Sequence, residues 1–533
     1  MKMNKRRFGK FCLVILSAIF VMGFGLTGCG VEVETETYNI SGEIVDNGGQ
    51  GIEGVSLHFG NVYETVTTDQ DGRWSKSGLE GRVTVTPAKD GWSFTPSNRE
   101  VDEEDDNVNF TGTEVETDYT LSGKVEDIFG EDLEGVEISF SGGFDSVFTG
   151  SDGTWSKSGL GGVVTVTPDK TGWEFDPDDQ EVIGARDDVD FTARPFPDGD
   201  GTEGNPFLVE TAGQLNNVRY YLDKHFQQIE DIDWEDFGGE SLDPIGDADG
   251  PFTGKYDGNG LKISNLDVSY SNQNMGLFGF LGAGSIVENV KLEDVTVNGY
   301  SDSVRVGGLA GENEGTIIGC WATGEISGLG SIGGLVGKNL ENGEIKNCFA
   351  EASVFGINQI GGLVGANNSG AIIIECFAVG LVTETQGTGA NAGGLVGITH
   401  GTIINSYATG NVDGNIQVGG LTGFLSGGEI ENSYSICKVT GLDEPKGGLI
   451  GTRSGGSIMA SYWDTDSSEQ DESDGGEGRT TLQMQAGTPG DFIKPDGTED
   501  SEENPDNLMY DQWDDTIWVF GTKEEYPRLQ WQD

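Results

Sequence analysis

The feature that most constrains the fold of this 533-residue chain is a glycine motif that returns six times in its second half. The motif is Gly-Gly-Leu-x-Gly, and a degenerate copy occupies residues 275–279. A period of about 28 residues predicts a solenoid, in which each repeat buries its apolar face only by stacking on its neighbours. The six copies begin at Gly307, Gly333, Gly361, Gly393, Gly419 and Gly447.

Composition supports a folded chain only when it is read together with this period. The hydrophobic fraction is 35%, but the 88 glycines recur in register, which favours order over disorder. The chain has 90 acidic and 30 basic residues, and the formal charge of −60 makes nucleic acid and anionic lipid poor partners. A solvated acidic coat suited to a saline habitat, binding of divalent cations and recognition of basic partners all stay open as explanations.

The first 28 residues have the pattern of a secretion signal. A basic start precedes an apolar run at residues 11–26 that is too short for an ordinary membrane span. The end of the run resembles a bacterial lipobox, which implies cleavage before the cysteine, acylation of that cysteine and attachment to a membrane. Gly30 follows, not the Asp that often retains Gram-negative lipoproteins at the inner membrane, so we expect an outward-facing surface. A plain secretory signal is the alternative. The lipobox residues are Leu26, Thr27, Gly28 and Cys29.

These patterns divide the chain into eight segments and predict an all-β fold. Two small β-sandwich modules precede a right-handed parallel β-helix-like solenoid with a short capping helix. The segments are 1–28 (lipoprotein signal), 29–37 (anchor linker), 38–112 (module 1), 119–193 (module 2), 194–206 (linker), 207–465 (solenoid with its N-terminal cap), 466–510 (acidic loop) and 511–533 (C-terminal cap).

The two modules are duplicates offset by 81 residues. Each copy shows six or seven short alternating strands between Gly and Asp turns, which predicts a small β-sandwich. The stretch SGEIVDNGGQGIEGVSLHF resembles carboxypeptidase regulatory-like and bacterial Ig-like modules, and this resemblance implies spacers or ligand-binding extensions without catalysis. Asp69 and Asp71, and further on Asp247 and Asp249, are candidate Ca²⁺ ligands; ordinary Asp-Gly turns are the alternative.

The start of the solenoid carries a helical pattern that suits a cap, because a solenoid end otherwise exposes core and strand edges. Thr211 is the expected N-cap residue. The apolar face of this helix comprises Leu215, Val218, Tyr221 and Leu222.

The repeats themselves resemble GLUG-motif repeats, as in GGLVGKNLENGEIKNCFAEASV and GGLVGITHGTIINSYATGNV. The resemblance covers roughly residues 200–465 and implies a bacterial surface protein, since such repeats occur in adhesin-like chains and in some secreted peptidases. No HExxH motif occurs in the sequence, so the metallopeptidase carried by some of those proteins is not expected here.

Aligned repeats form columns that stacking would turn into ladders about 4.8 Å apart, so roughly eight coils would span about 40 Å. An Ile column is followed three positions later by Cys or Ser and then by an aromatic residue. The Ile and Cys/Ser columns have opposite parity, so we expect a bend between them. The aromatic column then faces either outward, as a platform for sugar rings or a protein partner, or into the core. Its members are Trp321, Phe349, Phe377, Tyr407, Tyr434 and Tyr462.

Four cysteines remain once Cys12 is removed with the signal and Cys29 is acylated, and three of them share one ladder. We expect buried free thiols, not disulfides. Zinc is not expected, because no CxxC motif occurs and His58, His225 and His400 lie in unrelated contexts. The four cysteines are Cys320, Cys348, Cys376 and Cys437.

Function follows from this architecture only as a class. We expect a lipid-anchored surface protein of the binding or adhesion type, with no cofactor beyond a structural Ca²⁺ and with a glycan or surface protein as ligand. The oligomeric state stays open. A carbohydrate-active β-helix, either a lyase or a glycosidase, is the enzymatic alternative and needs converging carboxylates or a Ca²⁺ site with a base. A purely structural envelope component is the third possibility. The scattered coil carboxylates are Glu325, Glu344, Glu351, Glu375 and Glu429.

Overall fold

The computed structural model describes residues 37–60, 63–115, 118–239, 241–269, 274–301, 304–385, 391–442, 445–504, 507–510, 512–520 and 525–532. The predicted signal and the lipobox cysteine lie outside the described residues. The chain separates into two compact units, of which the first is built around module 1 and the second contains module 2 and the repeats.

Module 1 is a sandwich of two four-stranded sheets within its described residues. Alternation along the strands buries one face, as in Val83 and Val85, while the intervening Thr84 is half-buried. Trp74 packs on Phe59 in the centre of the core, with ring centroids 5.8 Å apart. The strands are Tyr38–Asp46, Ser56–Phe59, Tyr63–Thr67, Arg73–Leu79, Val83–Ala88, Trp92–Thr95, Arg99–Val101 and Phe110–Glu114.

Module 2 repeats this arrangement, so the predicted sandwich is confirmed in both copies. The described residues of each copy contain eight strands where the sequence predicts six or seven, because strands of three or four residues are too short to show alternation. The strands of module 2 are Tyr119–Asp127, Glu137–Phe140, Phe144–Phe148, Thr154–Leu160, Val163–Asp169, Glu174–Asp176, Gln180–Ile183 and Phe191–Arg194.

The repeats form a parallel β-solenoid, as predicted, with five longitudinal faces that we name A to E. Two long strands, Thr422–Glu431 and Ile450–Met459, each run through faces A and B. Face A also contains Phe278–Leu281, Ala310–Asn313, Val336–Asn339, Val364–Asn367 and Val396–Thr399. Face B also contains Phe207–Val209, His225–Gln228, Lys255–Asp257, Ile286–Glu288, Thr316–Ile318, Glu344–Lys346, Ile372–Ile374 and Thr402–Ile404.

The remaining faces complete each coil. Strands Lys291–Asn298 and Trp321–Ser327 run through faces C and D. Face C also contains Ile232–Asp233, Lys262–Ser264, Phe349–Ala350, Phe377–Ala378, Tyr407–Ala408, Tyr434–Ser435, Tyr462–Asp464 and Glu477–Arg479. Face D also contains Asp267–Val268, Ser353–Gly356, Val382–Glu384, Val412–Asp413 and Val439–Thr440. Face E contains Arg305–Gly307, Ser331–Gly333, Gln359–Gly361, Asn391–Gly393, Val418–Gly419 and Lys446–Gly447.

The bend expected between the Ile and Cys/Ser columns lies at the corner between faces B and C. One residue per coil there adopts a left-handed backbone conformation, which turns the chain so that both columns point inward. Asparagine occupies this corner in three of the six motif repeats, and also as Asn289 in the coil before them, and it tolerates positive φ better than most residues do. The corner residues are Gly319, Asn347, Glu375, Asn405, Asn432 and Ala460.

The Gly-Gly-Leu motif forms the corner between faces E and A. A Cβ atom on Gly334 would lie 2.3 Å from the carbonyl oxygen of Gly362 in the next coil, so no larger residue fits there. The adjacent Leu335 is fully buried. The motif therefore combines a close backbone approach with one apolar side chain for the core.

Both ends of the solenoid are closed by side chains. At the first coil, helix Ala212–Asn217 begins at Thr211, whose hydroxyl accepts a hydrogen bond from the Gln214 N–H, as predicted. Leu215 and Val218 are buried in the solenoid core. At the last coils, Trp463 is paired with Ser435 of the preceding coil, and its side chain fills the interior of the solenoid.

Short helices and one hairpin complete the described chain. A 3-10 turn at Val218–Tyr220 follows the capping helix. A second 3-10 turn spans Trp234–Phe237. Helices Thr465–Ser468 and Thr481–Ala486 follow the last repeat, and a hairpin precedes a final 3-10 turn. The hairpin and turn comprise Trp518–Val519, Arg528–Leu529 and Gln530–Gln532.

The two segments predicted as an acidic loop (466–510) and an end cap (511–533) are arranged differently. Strand Glu477–Arg479 pairs with the last repeat and adds a further strand to face C. The described residues between 480 and 532, which we name the C-terminal strap, then pack along the outer side of the aromatic column. The acidic composition hid this packing, because the apolar residues that make it are widely spaced in sequence.

Candidate functional site

The aromatic column forms a ladder on the outer side of face C. Its neighbours in sequence, such as Ala350 and Ala378, point into the solenoid core, so the aromatic rings point away from it. Phe349 and Phe377 have centroids 4.8 Å apart and planes 1° apart. The same stacking continues from Phe377 to Tyr407 at 5.0 Å and from Tyr407 to Tyr434 at 4.9 Å. The outward orientation is thus confirmed, and placement in the solenoid core is wrong.

Although the ladder faces outward, most of it is not exposed. Phe377, Tyr407, Tyr434 and Tyr462 are buried under the C-terminal strap, and Trp321 and Phe349 are half-buried. The expectation of a continuous solvent-exposed platform is therefore wrong for the four buried rings. Sequence parity left the direction of the rings open between outward and inward, and the covering segment lies far away in the chain. The strap residues that cover the ladder are Met484, Ile493, Met509, Tyr510, Trp513, Trp518 and Leu529.

Stacking within the aromatic ladder also covers the faces of its rings. Sugars and planar groups bind aromatic residues through their faces. In this ladder Phe349, Phe377 and Tyr407 each have a stacked ring on both sides. Trp321, 5.5 Å from Phe349, is the first ring of the ladder, and its other neighbour in the register is Lys291. Among the described rings of the ladder, Trp321 thus ends the stack and is half-buried, whereas ligand binding to the four buried rings would require the strap to leave.

Hydrogen bonds hold the strap against the ladder at both ends. Asp464, at the end of the last repeat, is fully buried and accepts a hydrogen bond from the Thr481 hydroxyl at 2.7 Å. The Tyr434 hydroxyl donates to the Pro527 carbonyl at 2.6 Å. The indole N–H of Trp513 donates to the Ala460 carbonyl at 2.7 Å. These bonds give hydrogen-bond partners to polar groups that the apolar contact would otherwise bury without one.

The Cys/Ser column is a second ladder, and it lies inside the solenoid. Cys320, Cys348 and Cys376 are free and fully buried, as predicted. The Cys348 sulfur accepts from the Cys320 N–H at 3.3 Å, and the thiol donates to the Lys346 carbonyl at 3.0 Å. Serines continue this pattern, since the Ser433 hydroxyl accepts from the Ser406 N–H at 3.1 Å. Each coil is thereby bonded to the next through small side chains.

Burial makes the thiols of Cys320, Cys376 and Cys437 poor nucleophiles. Desolvation raises the pKa of the Cys437 thiol to about 12 and raises the pKa of Cys320 and Cys376 above the usual thiol range. The three histidines stay in separate contexts along the chain, on module 1, on face B and at a coil corner. The cysteine column therefore packs and bonds the coils together.

An asparagine ladder, which the repeat alignment passed over, runs along the corner after face A. Asn313 donates its side-chain amide to Asn339 Oδ1 at 2.9 Å, and Asn339 donates to Asn367 Oδ1 at 3.0 Å. Asn367 then donates to the Thr399 hydroxyl at 3.2 Å. All four side chains are fully buried. The signal was visible in the sequence as an Asn six positions after the first glycine of three successive motifs.

The candidate calcium residues form turns. Asp69 Oδ1 accepts from the Asp71 and Arg73 N–H groups, both at 2.9 Å. Asp247 Oδ1 accepts from the N–H groups of Asp249 at 2.9 Å and of Gly250 at 2.8 Å. The Asp-Gly turn hypothesis is confirmed at both places. Calcium binding itself stays a prediction, which would have to use the other carboxylate oxygens.

The coil carboxylates named for the enzymatic alternative do not converge. Glu344 and Glu429 share a column of face B but lie three coils apart, about 14 Å at the spacing of parallel strands. Glycosidases of the usual kinds need two carboxyl groups roughly 5 to 9.5 Å apart. Within the described parts of the chain, no three His, Cys, Asp or Glu side chains cluster closely enough to hold a metal ion.

Membrane attachment through a helix has no counterpart in the described ranges. None of their helices combines the length and the apolar character needed to cross a bilayer. Attachment through Cys29 stays a prediction, since residues 1–36 lie outside the description.

Comparison with known proteins gives similarity over parts of the chain. The GLUG motif family matches residues 328–354, which is one coil. A protein named as a Gly-rich membrane protein from Evansella cellulosilytica is 42% identical over 130 residues, covering 23% of this chain and 15% of that protein. Halomucin from Haloquadratum walsbyi is 34% identical over 173 residues, covering 30% of this chain and 2% of that protein. The chain therefore spans a small fraction of both relatives.

Solved structures are similar at lower identity. A Bacteroides ovatus protein described as an immunoglobulin A1 protease is 23% identical, with a TM-score of 0.42, and the match covers 63% of this chain and 96% of that one. A streptococcal ancillary pilin is 16% identical, with a TM-score of 0.21, and the match covers 31% of this chain and 64% of the pilin. Together with the geometry, the comparisons establish a GLUG motif within a β-solenoid.

Proposed function

We propose that this chain is a lipid-anchored surface protein of the binding or adhesion type, in which the β-sandwich modules carry a non-catalytic solenoid. The observation that carries the proposal is the closed and fully packed solenoid. Apolar side chains fill it from Phe207 in the first coil to Trp463 in the last, and ladders bond its coils together. A body built in this way offers its outer surface for contacts.

The order of segments along the chain supports the same function. The predicted acylated Cys29 precedes both modules, and the modules precede the solenoid. The resemblance of the modules to carboxypeptidase regulatory-like and Ig-like modules suits a spacer role. The matches to a protein named as a membrane protein and to halomucin suit an extracytoplasmic location. The formal charge of −60 would keep such a surface solvated.

Anchoring is tested by replacing one cysteine and following the lipid. Cys29→Ser should abolish incorporation of labelled palmitate and release the protein into the medium, whereas Cys12→Ser should change neither. On intact cells carrying the unaltered protein, added protease should cleave the modules. Lipid labelling that survives Cys29→Ser, or full protection from protease, would contradict the proposed anchor or location respectively.

Binding is tested separately with the soluble full-length mature chain. Arrays of glycans and of surface or matrix proteins should reveal saturable binding, and a strain lacking the gene should attach less well to the ligand found. Turnover of a polysaccharide into shorter or unsaturated products would support the lyase or glycosidase alternative. Unchanged attachment combined with an altered cell envelope would support a purely structural role.

A further inference from the structure

The joint between module 2 and the first coil of the solenoid holds a cleft of about 620 Å³. The walls of the cleft are fixed by direct bonds. The Tyr221 hydroxyl donates to Asp127 Oδ2 at 2.7 Å, and the Asn217 side-chain amide donates to the Gly172 carbonyl at 2.7 Å. The volume lies in the range typical of ligand sites. Because its walls belong to two packed elements, the cleft exists before any ligand arrives.

One wall of this joint cleft is aromatic and open to solvent. Tyr220 is 59% exposed, and its ring centroid lies 6.3 Å from that of Trp173, which is half-buried. The other rings at the joint pack against one another, as Phe196 and Phe207 do at 4.6 Å. Phe129 is also exposed at the joint but does not line the cleft, so Tyr220 is the exposed ring that the cleft offers to a ligand.

The opposite wall is acidic. Glu131, Asp132 and Glu134 line the cleft and are exposed. Asp132 pairs with Lys124 at 2.6 Å. The one cation in the lining, Lys170, donates its ammonium group to the Glu134 carbonyl at 2.8 Å, and burial lowers its pKa. The wall thus keeps an excess of negative charge that the surrounding side chains do not neutralise.

The duplicated module provides an internal comparison. Lys89 and Trp92 of module 1 correspond to Lys170 and Trp173 of module 2. The Lys89 ammonium group lies 5.7 Å from the centroid of Trp92, so this lysine–tryptophan pair belongs to the module fold. At the positions of Glu131 and Asp132, however, module 1 has Gln50 and Gly51. The two extra carboxylates thus occur in the copy that meets Tyr220.

We infer that the joint cleft binds a guanidinium or ammonium group presented by a basic segment of a partner protein. Aromatic faces attract cations, most strongly when both are partly desolvated. Carboxylates give the same group charge-assisted hydrogen bonds. The net charge of the chain would steer a basic partner toward the surface. This site does not depend on the lipid anchor, so its failure would leave the proposed location intact.

The test compares two peptides that differ by one charge. Acetyl-Gly-Arg-Gly-amide and its neutral isostere acetyl-Gly-citrulline-Gly-amide are titrated against the full-length mature chain in about 150 mM salt, which screens the general acidic surface. Saturation-transfer NMR should show saturable binding of the arginine peptide and at least about fivefold weaker binding of the citrulline peptide. Equal binding of the two peptides would overturn the inference.

Variants then place the binding at the cleft. Tyr220→Ala, and separately the double variant Glu131→Gln/Glu134→Gln, should each weaken arginine-peptide binding by about fivefold or more while the thermal transition stays in place, because these side chains are exposed. The matched double variant Glu53→Gln/Glu64→Gln removes the same charge from module 1 and should leave binding unchanged. Wild-type affinity in the cleft variants, or an equal loss in the matched variant, would contradict the assignment.

Discussion

Trp531 donates its indole N–H to the main-chain carbonyl of Glu375 at 2.9 Å, across 156 positions of sequence. The strap therefore runs back over the solenoid from the last repeat to the coil of Phe377, where the Trp531 and Phe377 ring centroids are 5.7 Å apart. The aromatic ladder thus serves as a docking seam for the chain itself. The docked strap therefore restricts access to the buried part of the ladder.

Removing the central strap ring should loosen the strap and leave the solenoid folded. Trp518 is 1% exposed and packs on Tyr407 and Tyr434, with centroids 6.1 and 5.9 Å away. We expect Trp518→Ala to lower the opening free energy of the strap by about 3–5 kcal/mol, as for other buried tryptophans. Hydrogen exchange of strap amides measures this energy. Leu482→Ala, at a position that is 50% exposed, is the control and should change it little.

Alkaline pH should release the strap. Burial raises the pKa of Tyr407 to about 12, above the value near 10 of an unfolded tyrosine. The neutral phenol is favoured in the folded chain, so the stabilisation is complete below pH 10 and is lost as pH rises through about 12. The loss should approach 1.4 kcal/mol per pH unit for this tyrosine. Absorbance titration of tyrosinate should lose the step near pH 12 in Tyr407→Phe and keep it in Tyr300→Phe.

Interrupting the asparagine ladder should lower the free energy of unfolding of the solenoid. Asn339→Ala leaves the side-chain amide of Asn313 and the carbonyl oxygen of Asn367 without their partner inside the core. Each stranded group costs about 1–3 kcal/mol. Denaturant unfolding of the solenoid should show that loss, whereas Ser369→Ala on the nearby exposed corner should unfold like the parent chain. Equal stability of the two variants would mean that water or a neighbouring group replaces the missing amide.

The four repeat cysteines should be unreactive until the solenoid unfolds. Cys437, with its pKa raised to about 12, and the three ladder thiols are fully buried. In a chain that starts after Cys29, a disulfide reagent at pH 8 should label no thiol in the native protein and four in guanidinium. Rapid labelling of any cysteine in the native chain would show that the coils open on the timescale of the reaction.

The sequence predicted the solenoid well because its determinants recur in every coil. The two glycines of each motif, the left-handed corner residue and the inward Cys/Ser column all act between adjacent coils, so one repeat contains the information. The N-cap role of Thr211 could be predicted for the same reason, since an N-cap depends on a stretch of about four residues. The sequence alone therefore predicts the position of the capping helix and of the bend.

The covering of the ladder could not be predicted in the same way. Parity left the direction of Tyr407 open between outward and inward and says nothing about what lies over it, and its partner Gln532 is 125 positions away. Trp513, Trp518 and Trp531 follow no period and lie in the segment predicted as an end cap (511–533), while the acidic residues before them suggested a loop (466–510). The asparagine ladder was missed for a different reason. Its spacing was present, but a polar side chain at a turn is usually exposed.

Hydroxyl-radical footprinting of the intact chain tests the central claim most directly, because it measures side-chain exposure along the ladder in one experiment. Tyr300 and Tyr220, which are 66% and 59% exposed, provide the internal reference. With the strap docked, Tyr407 and Tyr434 should be labelled at least about tenfold more slowly than this pair, in line with their burial, and Trp321 at an intermediate rate. Labelling of Tyr407 and Tyr434 as fast as Tyr300 would show that the ladder is open and would contradict the docking seam.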